Sequence, residues 1–233
     1  MLLYPSQLRL CYIKRGVDHF HPAVAEADAA DMLYYVHDPM CSWCWGFAPV
    51  LGQLLKRLPV DVQVTRLLGG LAVDSDQPMP LALQQTIAAT WRRIQERIPA
   101  TQFNFDFWTQ CAPRRSTWPA CRAVIAARQQ GEEFDARMTR AIQQAYYTQA
   151  RNPSDEMTLI ELAVQLGLDE QAFARALSGE PVQQQLLMEI ERTRQLHATS
   201  FPGLVLEAAG NIWPIPVNYN DSAPMLEMIA GLR

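Results

Sequence analysis

The chain has 233 residues, of which 49% are hydrophobic and 19% charged, with a formal net charge of −4 at pH 7. This length can bury a sizeable hydrophobic core, either in one domain with a large insertion or in two small domains. Acidic and basic residues are intermixed, which excludes a strongly basic surface for nucleic acid or anionic lipid. No stretch approaches the roughly 18 apolar residues of a membrane-spanning helix, so we expect neither a nucleic-acid nor a membrane partner.

The N-terminal segment and the number of cysteines bear on the cellular compartment. Lys14 and Arg15 follow the short apolar stretch 10–13 instead of preceding it, which does not match a secretory signal peptide. We therefore expect a cytoplasmic protein in which residues 1–31 are a loosely held extension. Five cysteines, an odd number, do not suit a framework of structural disulfides.

A strand, a helix and a second strand are predicted after this extension. Residues 32–36 are an apolar, aromatic-rich run that ends shortly before Pro39, as is typical of a strand. Apolar residues recur with helical spacing over residues 42–58, and residues 61–68 alternate as in a second strand before a pair of glycines. The two strands of such a βαβ unit are expected to be parallel.

The middle of the chain, residues 80–197, is predicted to be helical throughout. Six segments have helical periodicity, and several begin with a proline or a small polar residue that suits a first turn or an N-terminal cap. These segments are 81–98, 119–130, 132–148, 157–166, 171–177 and 181–196.

Strands return only near the C-terminus. Residues 203–207 and 212–217 are separated by a turn and are predicted to form an antiparallel hairpin. Pro214 and Pro216 make the second of these an edge strand, because proline cannot donate a hydrogen bond to a neighbouring strand. A short amphipathic helix is predicted over residues 223–232.

The complete order of elements is therefore βαβ, a helical insertion and then ββα. This order predicts an α/β fold with two structural units. Residues 32–79 and 198–233 form the α/β domain, and residues 80–197 form a large all-helical insertion domain.

Cys41 and Cys44 are separated by two residues where the first strand leads into the first helix. The unpaired amides and the positive end of that helix stabilise a thiolate, so Cys41 is the expected nucleophile. Cys44 lies on the same helix face, at a Cα spacing of about 5 to 6 Å that suits a disulfide. The pair is predicted to be a redox couple in which Cys44 resolves a mixed disulfide on Cys41, and this chemistry needs no cofactor.

A zinc site and buried core thiols are the alternative interpretations of this pair. Zinc requires further ligands at matching spacing, whereas the remaining cysteines and histidines have no such partners, so we expect no metal. Core packing does not explain why both thiols stand at the first turn of a helix after a strand. Within the insertion, Cys111 and Cys121 are expected to be core thiols, with a second disulfide as the alternative.

The stretch DPMCSWCWGF, residues 38–47, and the βαβ–ββα order resemble the DsbA-like family of thiol:disulfide oxidoreductases. The resemblance covers residues 32–233 and includes Pro49, where the first helix of thioredoxin-like proteins often kinks. It implies a thioredoxin-like fold with Cys41 and Cys44 as catalytic residues. It also implies protein or small-molecule thiols and disulfides as substrates.

The same resemblance gives a role to Phe201 and Pro202, which precede the third predicted strand. The family has a cis-proline that faces the dithiol, and the backbone of the preceding residue pairs with the substrate as an added strand. Carried over, Pro202 is the cis-proline of the catalytic site and Phe201 is its substrate-facing neighbour. Trp43 is expected to form an apolar lip beside the dithiol.

The sequence departs from the family pattern at one position. Thioredoxins, and DsbA in its own way, have a buried acid six residues before the first cysteine, and Tyr35 stands there in this chain. His37 is nearer the motif and is expected to assist proton transfer or tune the thiolate. The alternative is a histidine that is only hydrogen-bonded at the end of the strand.

Two other functions remain open from the sequence. Kappa-class glutathione transferases and hydroxychromene carboxylate isomerases are similar in architecture but have a serine where Cys41 stands, and glutathione remains a candidate co-substrate here. A chaperone or peptide-binding module would use the apolar lip without redox turnover. Retention of both cysteines favours the oxidoreductase, and a cytoplasmic location favours reduction or isomerisation. Redox potential, partner and oligomeric state do not follow from the sequence.

Overall fold

The computed structural model describes residues 30–198 and 200–233, and within these ranges the chain forms four strands and nine helices. In chain order these are β1 (Met32–His37), α1 (Ser42–Arg57), β2 (Gln63–Leu68), α2 (Leu81–Arg97), α3 (Phe107–Gln110), α4 (Trp118–Arg128), α5 (Phe134–Thr148), α6 (Glu156–Gln165), α7 (Glu170–Leu177), α8 (Glu180–Gln195), β3 (Gly203–Ala208), β4 (Asn211–Ile215) and α9 (Ala223–Gly231). The predicted extension, residues 1–31, lies outside the described residues except for its last two positions.

The four strands form one mixed sheet in the order β2-β1-β3-β4. Strands β1 and β2 are parallel, whereas β3 is antiparallel to both β1 and β4. Val36 near the end of β1 pairs with Gly203 at the start of β3. The segment that follows β1 and the segment that precedes β3 therefore meet at the same end of the sheet.

Helix α1 packs one apolar face against the sheet. Its Phe47, Val50 and Leu54 are buried in a core that includes Leu33 of β1 and Leu206 of β3. Each fully buried side chain of this kind stabilises the fold by about 1.5 to 3 kcal/mol. This packing holds the first turn of α1, where the two cysteines lie, at the end of β1.

Helices α2 to α8 surround a second hydrophobic core. Trp91 is fully buried at its centre and contacts Phe103, Tyr146 and Tyr147. The aromatic residues between 91 and 108 belong to this core or pack against it, which is their usual place.

A buried carboxylate joins the helices to the sheet. Glu189 of α8 accepts a hydrogen bond from the backbone N–H of Leu68 at the end of β2, with 2.9 Å between nitrogen and oxygen. Its other oxygen lies 2.9 Å from a guanidinium nitrogen of Arg128 in α4. Charged hydrogen bonds of this kind hold the insertion in register with the strand beside the cysteine motif.

The α/β class, the order of elements and the edge position of β4 agree with the predictions from the sequence. The predicted bounds differ from the observed ones by a few residues, and only the four-residue helix α3 has no predicted counterpart. The limits assigned to the two domains stay predictions. None of the described helices has both the length and the apolar character needed to cross a membrane.

Candidate active site

The first strand places the two cysteines at the start of α1. Cys41 is the N-terminal cap of the helix, with φ −82° and ψ 115°, and its backbone N–H donates to the carbonyl of Asp38. Cys44 lies in the first turn and is completely buried. Burial raises the pKa of the Cys44 thiol well above its ordinary value, and the neighbouring Cys41 sulfur raises it further.

The loop before β3 faces Cys41. The peptide bond between Phe201 and Pro202 is cis. The Cys41 thiol donates to the backbone carbonyl of Phe201, with 3.5 Å between sulfur and oxygen. Pro202 is buried and Phe201 is half-buried. Residues 160 positions apart in the sequence are thus in direct contact, at the place that the family resemblance implies.

Gly69, just after β2, lies against the Phe201 ring of this loop. A Cβ atom at this position would lie 1.8 Å from Cε1 of Phe201. Only glycine therefore leaves room for the Phe201 ring in its present orientation. The backbone N–H of Gly69 also donates to the carbonyl of His37, which links the end of β1 to the segment after β2.

A groove of about 400 Å³ extends from this loop. Most of its lining side chains are apolar and come from the loop, from β3, from the segment after β4 and from Tyr219, whereas His197 and Ser200 are polar. The apolar side chains include Phe201, Pro202, Leu204, Ile215, Val217 and Tyr219. The volume falls within the range of about 300 to 1,000 Å³ that small-molecule sites have.

Tyr219 and Arg97 stand beside the dithiol and were not identified from the sequence. The rings of Trp43 and Tyr219 lie 5.1 Å apart between centroids, so Trp43 forms part of an aromatic lip with Tyr219. The guanidinium carbon of Arg97, at the end of α2, lies 5.8 Å from the Trp43 ring and 5.2 Å from the Tyr219 ring. Burial, and then the charges of Cys41 and Cys44, raise the pKa of Tyr219 to about 12.

Asp38 joins the motif to the helical insertion. One carboxylate oxygen accepts the backbone N–H of Met40, and the other accepts the N–H of Leu71 and the hydroxyl of Thr117. The thiol of Cys121 donates to this second oxygen, 3.4 Å away. Burial raises the pKa of Asp38, whereas these hydrogen bonds, led by that of Thr117, lower it.

Tyr35 and His37, both buried, lie beneath the motif. Their rings are stacked, with centroids 4.8 Å apart and planes inclined by 2°. Burial is the main reason that the pKa of Tyr35 is raised well above its ordinary value, and the charge of Cys44 adds to it. At the position where the family pattern described above has an acid, this chain therefore has a neutral phenol.

The alternative prediction for His37, a side chain that is only hydrogen-bonded at the end of the strand, does not agree with the structure. Neither ring nitrogen has a hydrogen-bond partner within the described residues. Burial, with Arg66 and Arg128 nearby, lowers the pKa of His37 to about 3. The ring is thus neutral near pH 7, and because it is fully buried it does not line the groove.

The remaining cysteines occupy separate surroundings. The thiol of Cys111 donates to the carbonyl of Ala150, whereas Cys121 donates to Asp38, and both are free thiols. Cys11 lies outside the described residues. Over residues 30–198 and 200–233 no group of three side chains has the arrangement of a metal site.

A mixed four-stranded sheet, two cysteines at the start of α1 and a cis-proline beside them define the thioredoxin-fold class of protein. The model of the DSBA-like thioredoxin domain matches residues 33–219. The chain therefore belongs to the DSBA-like thioredoxin family.

Two solved structures resemble the whole of the described fold. A candidate protein disulfide isomerase from Nitrosomonas europaea is 27% identical, with a TM-score of 0.76, over 87% of this chain and 97% of that chain. The cytosolic disulfide reductase DsbM from Pseudomonas aeruginosa is 25% identical, with a TM-score of 0.69, over 86% of this chain and 98% of that chain.

Two relatives found by sequence are named as adapter proteins, whereas the two solved structures are named for disulfide chemistry. The ClpXP adapter protein SpxH of Halalkalibacterium halodurans is 23% identical over 177 residues, which are 74% of this chain and 57% of the relative. SpxH of Bacillus subtilis matches at the same identity over 56% of its length. The chain thus spans little more than half the length of these relatives.

Proposed function

We propose that the protein is a cytoplasmic thiol:disulfide oxidoreductase that reduces disulfides through Cys41 and Cys44. The observation that carries this proposal is the contact between the Cys41 sulfur and the carbonyl of Phe201, next to the cis bond of Pro202. This contact supports the proposal, because a thiol at the start of a helix is favoured as a nucleophile and the adjoining backbone is of the kind that pairs with an added strand. Similarity to the cytosolic disulfide reductase DsbM supports the direction of transfer.

Reduction proceeds in two exchanges. The Cys41 thiolate attacks one sulfur of the substrate disulfide, a mixed disulfide forms, and the other substrate sulfur leaves as a thiolate and takes up a proton. Cys44 then loses its proton and attacks the Cys41 sulfur, which releases the second substrate thiol. Two electrons pass to the substrate and the Cys41/Cys44 pair becomes a disulfide, which an external thiol must reduce again.

The buried position of Cys44 orders these two steps. Burial and the Cys41 sulfur raise the pKa of Cys44, so it remains protonated while Cys41 carries negative charge. When Cys41 enters the mixed disulfide, that charge disappears and Cys44 becomes easier to deprotonate. Cys41 is therefore the first nucleophile and Cys44 the resolving residue.

Glutathione is the proposed external thiol. DsbM of P. aeruginosa has also been solved with GSH. The groove beside Phe201 has about 400 Å³, which is enough for a ligand of this size. No other cofactor is required by the exchange chemistry.

Insulin reduction by dithiothreitol tests the proposal. We expect the protein to accelerate it, and Cys41→Ser to abolish this acceleration because no mixed disulfide can form. Cys44→Ser should instead accumulate a mixed disulfide on Cys41, visible as added mass that dithiothreitol removes. Cys111→Ser is the matched control and should keep wild-type activity. If Cys41→Ser accelerates the reaction as wild type does, the oxidoreductase proposal is wrong.

Similarity to SpxH over 74% of this chain favours an adapter function as the second candidate. An adapter needs a binding surface and no electron transfer, so replacing both cysteines by serine should leave partner binding unchanged. The measurement is direct binding of the purified protein to purified ClpX and ClpP. Binding that survives the double replacement, together with no insulin reduction, would favour the adapter over the reductase.

A further inference from the structure

The end of α2 brings a positive charge to the mouth of the dithiol. Arg97 is exposed, and its guanidinium lies over both Trp43 and Tyr219, at 5.8 Å and 5.2 Å from the ring centroids. Trp43 is one of the two residues between the cysteines, and Tyr219 lines the groove beside the cis-proline. The helical insertion thus contributes a cation to a site that is otherwise made by the α/β part of the chain.

The guanidinium carbon of Arg97 lies over both rings, whose planes are inclined by 53°. Aromatic rings attract a cation placed at these distances from their centroids. Contact with the rings leaves guanidinium N–H groups available, and those groups match the two oxygens of a carboxylate. Arg97 forms no salt bridge with any of the described residues.

The groove next to this arginine has the size of a small-molecule site and mostly apolar walls. An apolar wall stabilises the carbon chain of a substrate, and it gives no charge selectivity. His197 also lines this groove, whereas Arg97 is the charged residue that contacts both rings of the aromatic lip.

We propose that Arg97 is a specificity-determining residue that selects small disulfides that carry a carboxylate. This inference rests on the proposed function, because it concerns the disulfides that Cys41 attacks. The carboxylate pairs with the Arg97 guanidinium while one substrate sulfur faces Cys41. Oxidised glutathione belongs to this chemical class.

Three disulfides of nearly equal size and different charge test the proposal. Dithiodipropionate is anionic, hydroxyethyl disulfide is neutral and cystamine is cationic. Each is mixed with the reduced protein, and the second-order rate of Cys41/Cys44 oxidation is followed by acid quenching, alkylation and mass measurement. In this reaction the protein dithiol gives two electrons to one small disulfide, which leaves as two thiols, so no recycling system is needed.

For Arg97→Gln we expect the rate with dithiodipropionate to fall about fivefold to tenfold, the size of one charge-assisted hydrogen-bonded pair near a surface. The rate with hydroxyethyl disulfide should change less than about twofold, and the rate with cystamine should rise. Arg97→Lys should retain part of the preference for the anion, since it keeps the charge but loses the planar fork. The rate with oxidised glutathione should fall in Arg97→Gln as the rate with dithiodipropionate does. An unchanged rate with oxidised glutathione would overturn its inclusion among the disulfides that Arg97 selects.

Arg92→Gln is the matched control. Arg92 lies on the same helix, is exposed and stacks on the Phe105 ring at 5.1 Å, away from the cysteines. The Arg92→Gln replacement changes the net charge by the same amount as Arg97→Gln, and it should leave the rates with all three disulfides as in wild type. Equal losses for Arg92→Gln and Arg97→Gln, or rate ratios that Arg97→Gln does not alter, would overturn the role of Arg97. If no disulfide oxidises the wild-type pair, the proposed function itself fails.

Discussion

The hydroxyl of Thr117 donates a hydrogen bond to the carboxylate of Asp38, with 2.7 Å between the two oxygens. Asp38 precedes Cys41 by three residues, and Thr117 directly precedes helix α4 in the insertion. One buried contact therefore links the loop that carries the nucleophile to the helices that cover it. Because both partners are buried, the contact is protected from the competition of water.

Replacing Thr117 by valine keeps the shape of the side chain and removes this donor. We expect the free energy of unfolding to fall by about 1 to 3 kcal/mol, because one oxygen of a buried carboxylate loses its shortest hydrogen bond and the backbone N–H of Ala72 loses the hydroxyl that accepts it. Urea denaturation measures the change. Thr90→Val is the control, since the Thr90 hydroxyl on α2 donates to the carbonyl of Thr86 and accepts from the exposed side chain of Arg93, far from any buried carboxylate. Equal losses for the two variants would show that Asp38 gains nothing from Thr117.

The buried ring of His37 predicts a loss of stability in acid. The unfolded chain binds a proton at an ordinary histidine pKa near 6.5, whereas the folded chain does so only near pKa 3. Stability from neutral His37 is therefore complete above pH 6.5 and is lost as the pH falls toward 3. Between pH 7 and pH 5 the expected loss is about 2 kcal/mol.

The variant His37→Phe removes this titration and keeps a ring that stacks on Tyr35. The difference in unfolding free energy between pH 7 and pH 5, measured with urea, should be smaller in this variant by the same amount. His197→Asn replaces an exposed histidine and should behave as wild type. If the loss of unfolding free energy between pH 7 and pH 5 is as large in His37→Phe as in the wild type, other groups cause the acid sensitivity.

Alkylation should separate the cysteines by their surroundings. Cys44 and Cys121 are completely buried and burial raises the pKa of both thiols, so each is a protonated, shielded thiol near neutral pH. Cys41 is also buried but keeps 7% of its surface exposed, so in the reduced protein iodoacetamide at pH 7 should modify it at least about tenfold faster than either of them. Peptide mass spectrometry gives the three rates. Modification of Cys44 before Cys41 would reverse the proposed roles of the pair.

Gly69→Ala should impair the site without touching either cysteine. The added methyl group would overlap the Phe201 ring and displace it, together with the carbonyl that faces Cys41. We expect the rate of disulfide reduction to fall about tenfold, since misplacement of a reacting group by a fraction of an ångström has effects of this size. Gly52→Ala is the control.

Gly52 lies inside α1, and no atom is within 4 Å of a Cβ added there. Alanine at this position should keep full activity and stabilise the helix by about 0.5 to 1 kcal/mol. Full activity in Gly69→Ala would show that the orientation of the Phe201 ring does not matter for exchange.

The elements of the fold could be predicted because their signals are local. Periodicity of apolar residues, prolines at first turns and glycines at ends act within one helix or strand, and the observed bounds follow them closely. Helix α3 has only four residues, which is about one turn and too short for periodicity to appear.

The site was predictable only in part, because much of it is made by contacts between distant residues. Cys41 and Cys44 are visible as a motif, and the position of Pro202 is implied by the family resemblance. Asp38 and Thr117 are 79 residues apart, and no local pattern indicates that they meet. Arg97 and Tyr219 reach the dithiol only through the packing of the insertion and of the C-terminal segment.

The edge strand β4 bears on how the protein behaves when concentrated. Ile212 and Trp213 are exposed on it, which would invite strand addition from another molecule. Pro214 has no N–H to donate, and Pro216 follows directly after the strand ends. An incoming chain would find the row of hydrogen-bond donors interrupted, so this edge resists amyloid-like aggregation despite its apolar surface.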